Sequence, residues 1–131
     1  MSDFNIYRST LGEDGREFME EVHLSKRISC AKGQGVGIGP AAIRAFEDAG
    51  IETFAQLVGQ FLVFKTADCG MQQHCQRFYD WLSTLRDPKS TSDRCPIAGH
   101  RAGIVEAVGT RAETICSGIF DRSTLKKMSK P

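Results

Sequence analysis

No apolar run in this sequence approaches the roughly 18 residues needed to cross a bilayer, and no stretch alternates apolar with polar residues as a half-buried strand does. Membrane insertion and a sheet-based core are therefore not expected. Strong charge of either sign is also missing: 17 Lys and Arg stand against 16 Asp and Glu, for a net charge of +1. Bulk electrostatics would not draw such a chain to nucleic acid or to an anionic surface, so any contact of that kind has to be local. No Cys-x-x-Cys pair occurs. Cys30, Cys69, Cys75, Cys95 and Cys116 are odd in number and irregularly spaced. Met1-Ser2-Asp3-Phe4 lacks the charged-then-apolar pattern of a secretory leader, so reduced intracellular thiols are expected. Cys69, His74, Cys75, Cys95 and His100 are soft ligands, but without paired spacing neither a metal nor another cofactor is expected. Cys75 and Cys116 fall on apolar helical stripes, where packing accounts for them. No nucleophile comes with a base and an orienting group, and Glu20-Glu21 and Glu47-Asp48 read as solvated helix faces. An enzyme is not expected.

What is present is helical periodicity in a chain long enough for a single core. The 131 residues, 40% hydrophobic and 25% charged, match an ordinary globular domain. Glu13 to Leu24 opens with acids favourable to the helix dipole and carries Phe18, Met19 and Val22 at helical spacing. Pro40 starts a second helix, with Ala42, Ile43 and Phe46 inward, and Gly50 follows where a left-handed cap is wanted. Glu52 or Thr53 opens a third helix whose apolar residues, Phe54 to Phe64, cover more than one face. Met71, Cys75, Phe78, Leu82 and Leu85 mark a fourth, ending before Asp87-Pro88. Ile104, Val105, Val108, Ala112, Ile115 and Cys116 mark a fifth. The expected fold is all-α: a compact bundle of about five helices spanning residues 13–120, with a flexible N-terminus at 1–12 and a basic disordered tail at 121–131.

The most specific stretch is Val36-Gly37-Ile38-Gly39-Pro40-Ala41-Ala42. A glycine hairpin running into a helix N-terminus leaves the N–H groups of Gly37, Gly39, Ala41 and Ala42 unpaired and convergent, which suits a phosphate. Gly37-x-Gly39-x-x-Ala42 also matches a dinucleotide fingerprint, but no strand precedes it and no βαβ unit follows. Positive charge is biased to the second half, from Arg77 to Lys130, mild support for an anionic partner.

Gly59-Gln60-Phe61-Leu62-Val63-Phe64-Lys65, together with Gly37-Ile38-Gly39, Phe78-Tyr79-Asp80-Trp81-Leu82 and Arg16-Glu17-Phe18, resembles the barrier-to-autointegration factor family over roughly residues 14–119. The resemblance implies a helix-hairpin-helix unit that binds duplex DNA without sequence preference. With the hairpin it places Gly37, Ile38, Gly39, Ala41 and Ala42 at the DNA and makes Arg101 or His100 the candidate for the family's basic residue at the start of the last helix; Arg44, one turn into its helix, Lys32 and Arg101 read equally as phosphate contacts or as solvated surface residues. It also implies a homodimer that bridges DNA and a groove for LEM-domain proteins of the nuclear envelope. Residues matching Gly59, Val63 and Lys65 form that groove in the family; Phe54, Val58, Gly59, Gln60, Phe61, Leu62, Val63 and Lys65 read either as a buried core helix or as a dimer and partner surface, and Gly59 inside a helix fits a close backbone approach. Lamins or histones are further partners the family implies, and the nucleus, with some cytoplasmic protein, is the implied location. A family basic residue falls on Asp14 here, the N-terminus is longer, an insert precedes the hairpin, and the loop after the fourth helix is rebuilt. Those departures support an alternative, an interaction protein that dimerises and binds protein partners with little DNA affinity. Ser2, Ser9 and Thr10 are candidate phosphorylation sites by the same resemblance, since added negative charge repels DNA.

Overall fold

Local signals set most helix ends. In the computed structural model, which describes residues 3–131, α1 spans Glu13–Glu21 and α2 spans Pro40–Asp48. Pro40 occupies the first helical position of α2, where its missing N–H costs nothing, and Gly50 leaves the helix at φ +87°. The third helix, α3, spans Phe54–Val63 and opens with a reciprocal cap: Gln56 N–H donates to Thr53 Oγ1 at 3.2 Å, and Thr53 N–H donates to Gln56 Oε1 at 3.1 Å. Three more helices follow: α4 (Met71–Leu82), α5 (Arg101–Ile115) and α6 (Arg122–Met128). Short 3₁₀ turns form at Ile6–Arg8 and Ile28–Ala31, and among the described residues the only strand-like pairing is an isolated bridge between Arg27 and Thr53.

The centre of the fold is α5. Every residue from Ala102 to Gly109 is buried, and α1, α3, α4 and the Ile6–Arg8 turn all pack against it. The small residues Gly103, Ala107, Gly109 and Ala112 let these neighbours come close, and the Phe120 ring lies where a side chain on Gly109 would stand. A helix enclosed on all sides shows little amphipathic pattern. The expected stripe fails at its C-terminal end: Ile115 is half exposed and Cys116 is exposed, so packing does not account for that thiol. Around α5 the aromatic side chains interlock. Phe61 and Phe78 meet edge to face at 5.2 Å, and Phe78 stacks on Trp81 at 5.7 Å.

Both termini depart from expectation. The sequence predicts a flexible segment over residues 1–12, yet within its described part Phe4 and Ile6 are buried. Phe4 N–H donates to Gln76 Oε1 at 2.6 Å, and Gln72 Nε2 donates to the Phe4 carbonyl at 2.6 Å. The segment 121–131, expected to be disordered, holds α6. Its Leu125 is fully buried, Asp121 caps it through the Thr124 N–H, and Asn5 Nδ2 donates to the Lys130 carbonyl at 2.8 Å. A lone leucine in a polar run gives no periodic signal, which is why this helix is invisible to pattern reading.

One buried carboxylate ties these parts together. Glu106 of α5 is 1% exposed. It accepts from Ser9 Oγ at 2.6 Å and Arg16 Nη2 at 3.2 Å, and lies 3.3 Å from Arg122 Nε. The N-terminal segment, α1 and α6 thus converge on one charge. Glu106→Gln, which keeps the shape and removes the charge, should cost about 1–3 kcal/mol because Arg16 and Arg122 can turn to solvent. Arg16→Met with Arg122→Met strands the buried carboxylate and should cost more, about 3–5 kcal/mol. Urea unfolding of both variants checks the order; equal losses would show that the arginines, not the carboxylate, carry the network.

Candidate nucleic-acid interface

Alternation between anchors and glycines shapes the hairpin. Val36 and Ile38 are buried and pin the loop to the core, while Gly35, Gly37 and Gly39 between them turn outward to the surface. Gly37 has φ +87°, and a Cβ there would stand 2.9 Å from His100 Cβ, so this position admits neither another conformation nor a side chain. Gly15 of α1 packs directly under the Gly35 carbonyl, a close approach that fixes the loop from below. Gly39 differs from Gly37. It is extended, at φ −99° and ψ −173°, and caps α2 with open space beside its Cα. Its role is access, not left-handed geometry.

Beyond Gly39 the helix supplies donors. Among the described residues, the backbone N–H groups of Gly37, Ile38, Gly39, Ala41 and Ala42 donate no hydrogen bond. Those residues line one concave site of about 380 Å³, together with Ala31, Pro96 and His100. His100 also caps α5, so that helix starts on the same rim. Helix N-termini concentrate partial positive charge, and free N–H groups at their mouths bind anions.

The cationic side chains are arranged otherwise. Arg44 Nε and Nη2 grip Asp87 at 2.9 and 2.7 Å. The pairing raises the Arg44 guanidinium's pKa and holds the Asp87 carboxyl down to about 2, chiefly through the Arg44 hydrogen bond with help from Lys89 N–H. Arg101 lies with its guanidinium carbon 4.1 Å from the centre of the Tyr79 ring. Neither arginine stands free at the hairpin, unlike the expectation for both. The reason is long-range pairing: Asp87 and Arg44 are 43 residues apart, and no local pattern announces such a partner. Lys32, Asp14 and His100 are exposed at this end of the molecule.

A second set of expected contacts lies on α3. Phe54, Val58 and Phe61 are buried inside this chain, so they belong to its own core and are not free to meet a partner. Gly59, Gln60 and Leu62 are partly exposed, Val63 is 68% exposed, and Lys65 is exposed. Nothing lies within 4 Å of a Cβ built on Gly59. Behind this strip, His74 of α4 is fully buried, with Nε2 2.7 Å from the Phe61 carbonyl oxygen and Nδ1 without a partner. Burial pushes its pKa down.

The soft ligands do not assemble. Burial pushes the Cys75 thiol up to about 12, Cys95 Sγ donates to the Leu82 carbonyl, and His100 stands at the hairpin. Among the described residues no group of three or more His, Cys, Asp or Glu is placed to hold a metal ion, and no helix is long and apolar enough to cross a membrane. Ser9 is committed to Glu106 and Thr10 is exposed, while Ser2 lies outside the described residues. No protein-family model, curated protein or solved structure matches the chain.

The Arg44–Asp87 pair makes a pH prediction. A carboxyl held low in the folded state gives stability that is fully present above the unfolded value of about 4 and is lost as pH falls toward about 2. Asp87→Asn should therefore lower the melting temperature at pH 6 and flatten its decline between about pH 4 and 2. Parallel declines in the two proteins would show that the pair contributes nothing measurable.

Proposed function

We propose that this chain binds the backbone of duplex DNA without sequence preference, through the hairpin and the start of α2 acting as the second half of a helix-hairpin-helix unit. The row of unpaired amides from Gly37 to Ala42, opening on one concavity, carries the reading. Such donors fit phosphate oxygens and touch no base edge, so affinity would be independent of sequence. With few free cations at the hairpin, salt dependence of this contact would be shallow, since each phosphate neutralised by a cation steepens the slope by about 0.9. The implied homodimer would use the exposed part of α3, Gly59 to Lys65, and present two such sites for bridging. LEM-domain partners and nuclear residence complete the reading and rest on the resemblance.

A second reading keeps the α3 surface and discards DNA. The commitment of Arg44 to Asp87 and of Arg101 to Tyr79 favours it, because both arginines are withdrawn from phosphate.

Gly39→Glu separates the two. Position 39 has an ordinary backbone conformation and open space, so the variant should fold normally while placing a carboxylate among the amides. Duplex mobility shifts across a salt series should show a loss of about 10- to 100-fold for the variant. No duplex shift by the native protein at any salt concentration removes the DNA reading; equal shifts move the site away from the hairpin.

The same logic serves the dimer. Gly59→Leu should leave the fold intact and recover up to about 1 kcal/mol of helix propensity in the isolated chain, yet abolish self-association. Sedimentation across micromolar concentrations reads this directly, and a native protein that stays monomeric there removes the role of Gly59.

A further inference from the structure

A cluster of free cations lies away from the hairpin. Arg8, Lys127 and Lys130 are exposed and Lys126 is half-buried, and among the described residues none of the four has an ion-pair partner. They are held as a built face. Lys126 Nζ sits 5.7 Å from the Tyr7 ring centre, Tyr7 Oη donates to the Lys126 carbonyl at 3.4 Å, and Asn5 anchors Lys130 through its carbonyl. Leu125 locks α6 to the core from beneath. Of the nearby acids, Asp121 is spent on capping α6 and Asp3 stands on the rim of the groove beside Arg8. The α6 part of this face is set apart from the hairpin, which the chain leading on from Arg8 reaches at Thr10 and Leu11. Asp121 meets Met71 at the start of α4, whereas Arg101, at the hairpin end of α5, meets Tyr79 two turns further along α4.

We propose that α6 and the Ile6–Arg8 turn form a second contact surface for the phosphate backbone of duplex DNA, separate from the hairpin. It shares its ligand class with the proposed function but does not depend on the amide site. Unpaired Lys and Arg side chains neutralise phosphates and release counterions, the dominant source of sequence-independent affinity; at the hairpin end Lys32 is exposed but stands with exposed Asp14, and Arg44 and Arg101 are engaged. A lipid surface fits less well: the apolar residue of α6, Leu125, faces inward, and Met128 and Tyr7 alone offer too little area to insert. With one site of amides and one of cations, a single chain holds two duplexes.

The test counts short blunt duplexes bound per chain at saturation, a quantity that dimerisation does not change. The native protein should bind two. Arg8→Glu/Lys127→Glu/Lys130→Glu, which alters only exposed side chains and leaves the Lys126–Tyr7 contact in place, should bind one, with its overall salt slope shallower by about 2–3. Gly39→Glu should also bind one, and the combined variant none. The proposal is overturned if the triple variant still binds two, or if the native protein binds one that only Gly39→Glu removes. A native protein that binds one duplex, lost only in the triple variant, sustains this surface and removes the hairpin reading. Vesicles of phosphatidylserine in phosphatidylcholine run alongside; capture that depends on the three cations, with no duplex binding that depends on them, assigns the face to lipid and overturns the proposal.

Discussion

A carboxylate cannot be taken out of water alone, and in this molecule that constraint organises the fold. Glu106 sits in the Ala102–Gly109 stretch of α5, buried at every position, and is itself 1% exposed, so its charge must be met by groups brought from elsewhere in the chain. Ser9, Arg16 and Arg122 supply them from segments roughly 90 residues before it and 16 after it. Each of those contacts fixes a part of the chain that has little core of its own. The N-terminal segment offers Phe4 and Ile6, and α6 offers Leu125; neither buries enough apolar surface to order about ten residues against backbone entropy. The ion network and the Asn5–Lys130 clasp supply the remainder.

The same economy explains why the molecule's interior was easier to read in the sequence than its connections. Pro40, Gly50 and the Thr53–Gln56 cap act on their immediate neighbours, so a helix boundary can be inferred from a few residues. The alternation of Val36 and Ile38 with glycines is equally local, and the amides of Gly37, Ile38 and Gly39 donate no internal hydrogen bond. Long-range partners leave no such trace. Nothing near Arg44 indicates that Asp87 will hold it, and nothing near Arg101 indicates a stacked Tyr79. Phe54, Val58 and Phe61 show a related ambiguity: a helix apolar on two sides can serve a core or a partner, and only the position of α5 and α4 decides that they serve the core. Leu125 is the extreme case, one apolar residue whose burial depends wholly on tertiary context.

Backbone and side chains divide the candidate surfaces between them. At the hairpin, Gly15 and His100 hold the loop so closely that its amides have a fixed direction, and the donors come without mobile charge. Such a site is selective in shape and weak in long-range attraction. At α6 the opposite holds, because lysine heads on flexible stems attract from a distance and discriminate little. A chain with a net charge of +1 has almost no global field, so a polyanion would first sense whichever local cluster is unpaired. Arg44 and Arg101 being occupied, the cluster proposed for that role is Arg8 with Lys127 and Lys130, Lys126 lying over the Tyr7 ring. On the proposed reading the cations hold one duplex and the amides another, and the network around Glu106, by tying the N-terminal segment and α6 to α5, fixes where the cationic face stands.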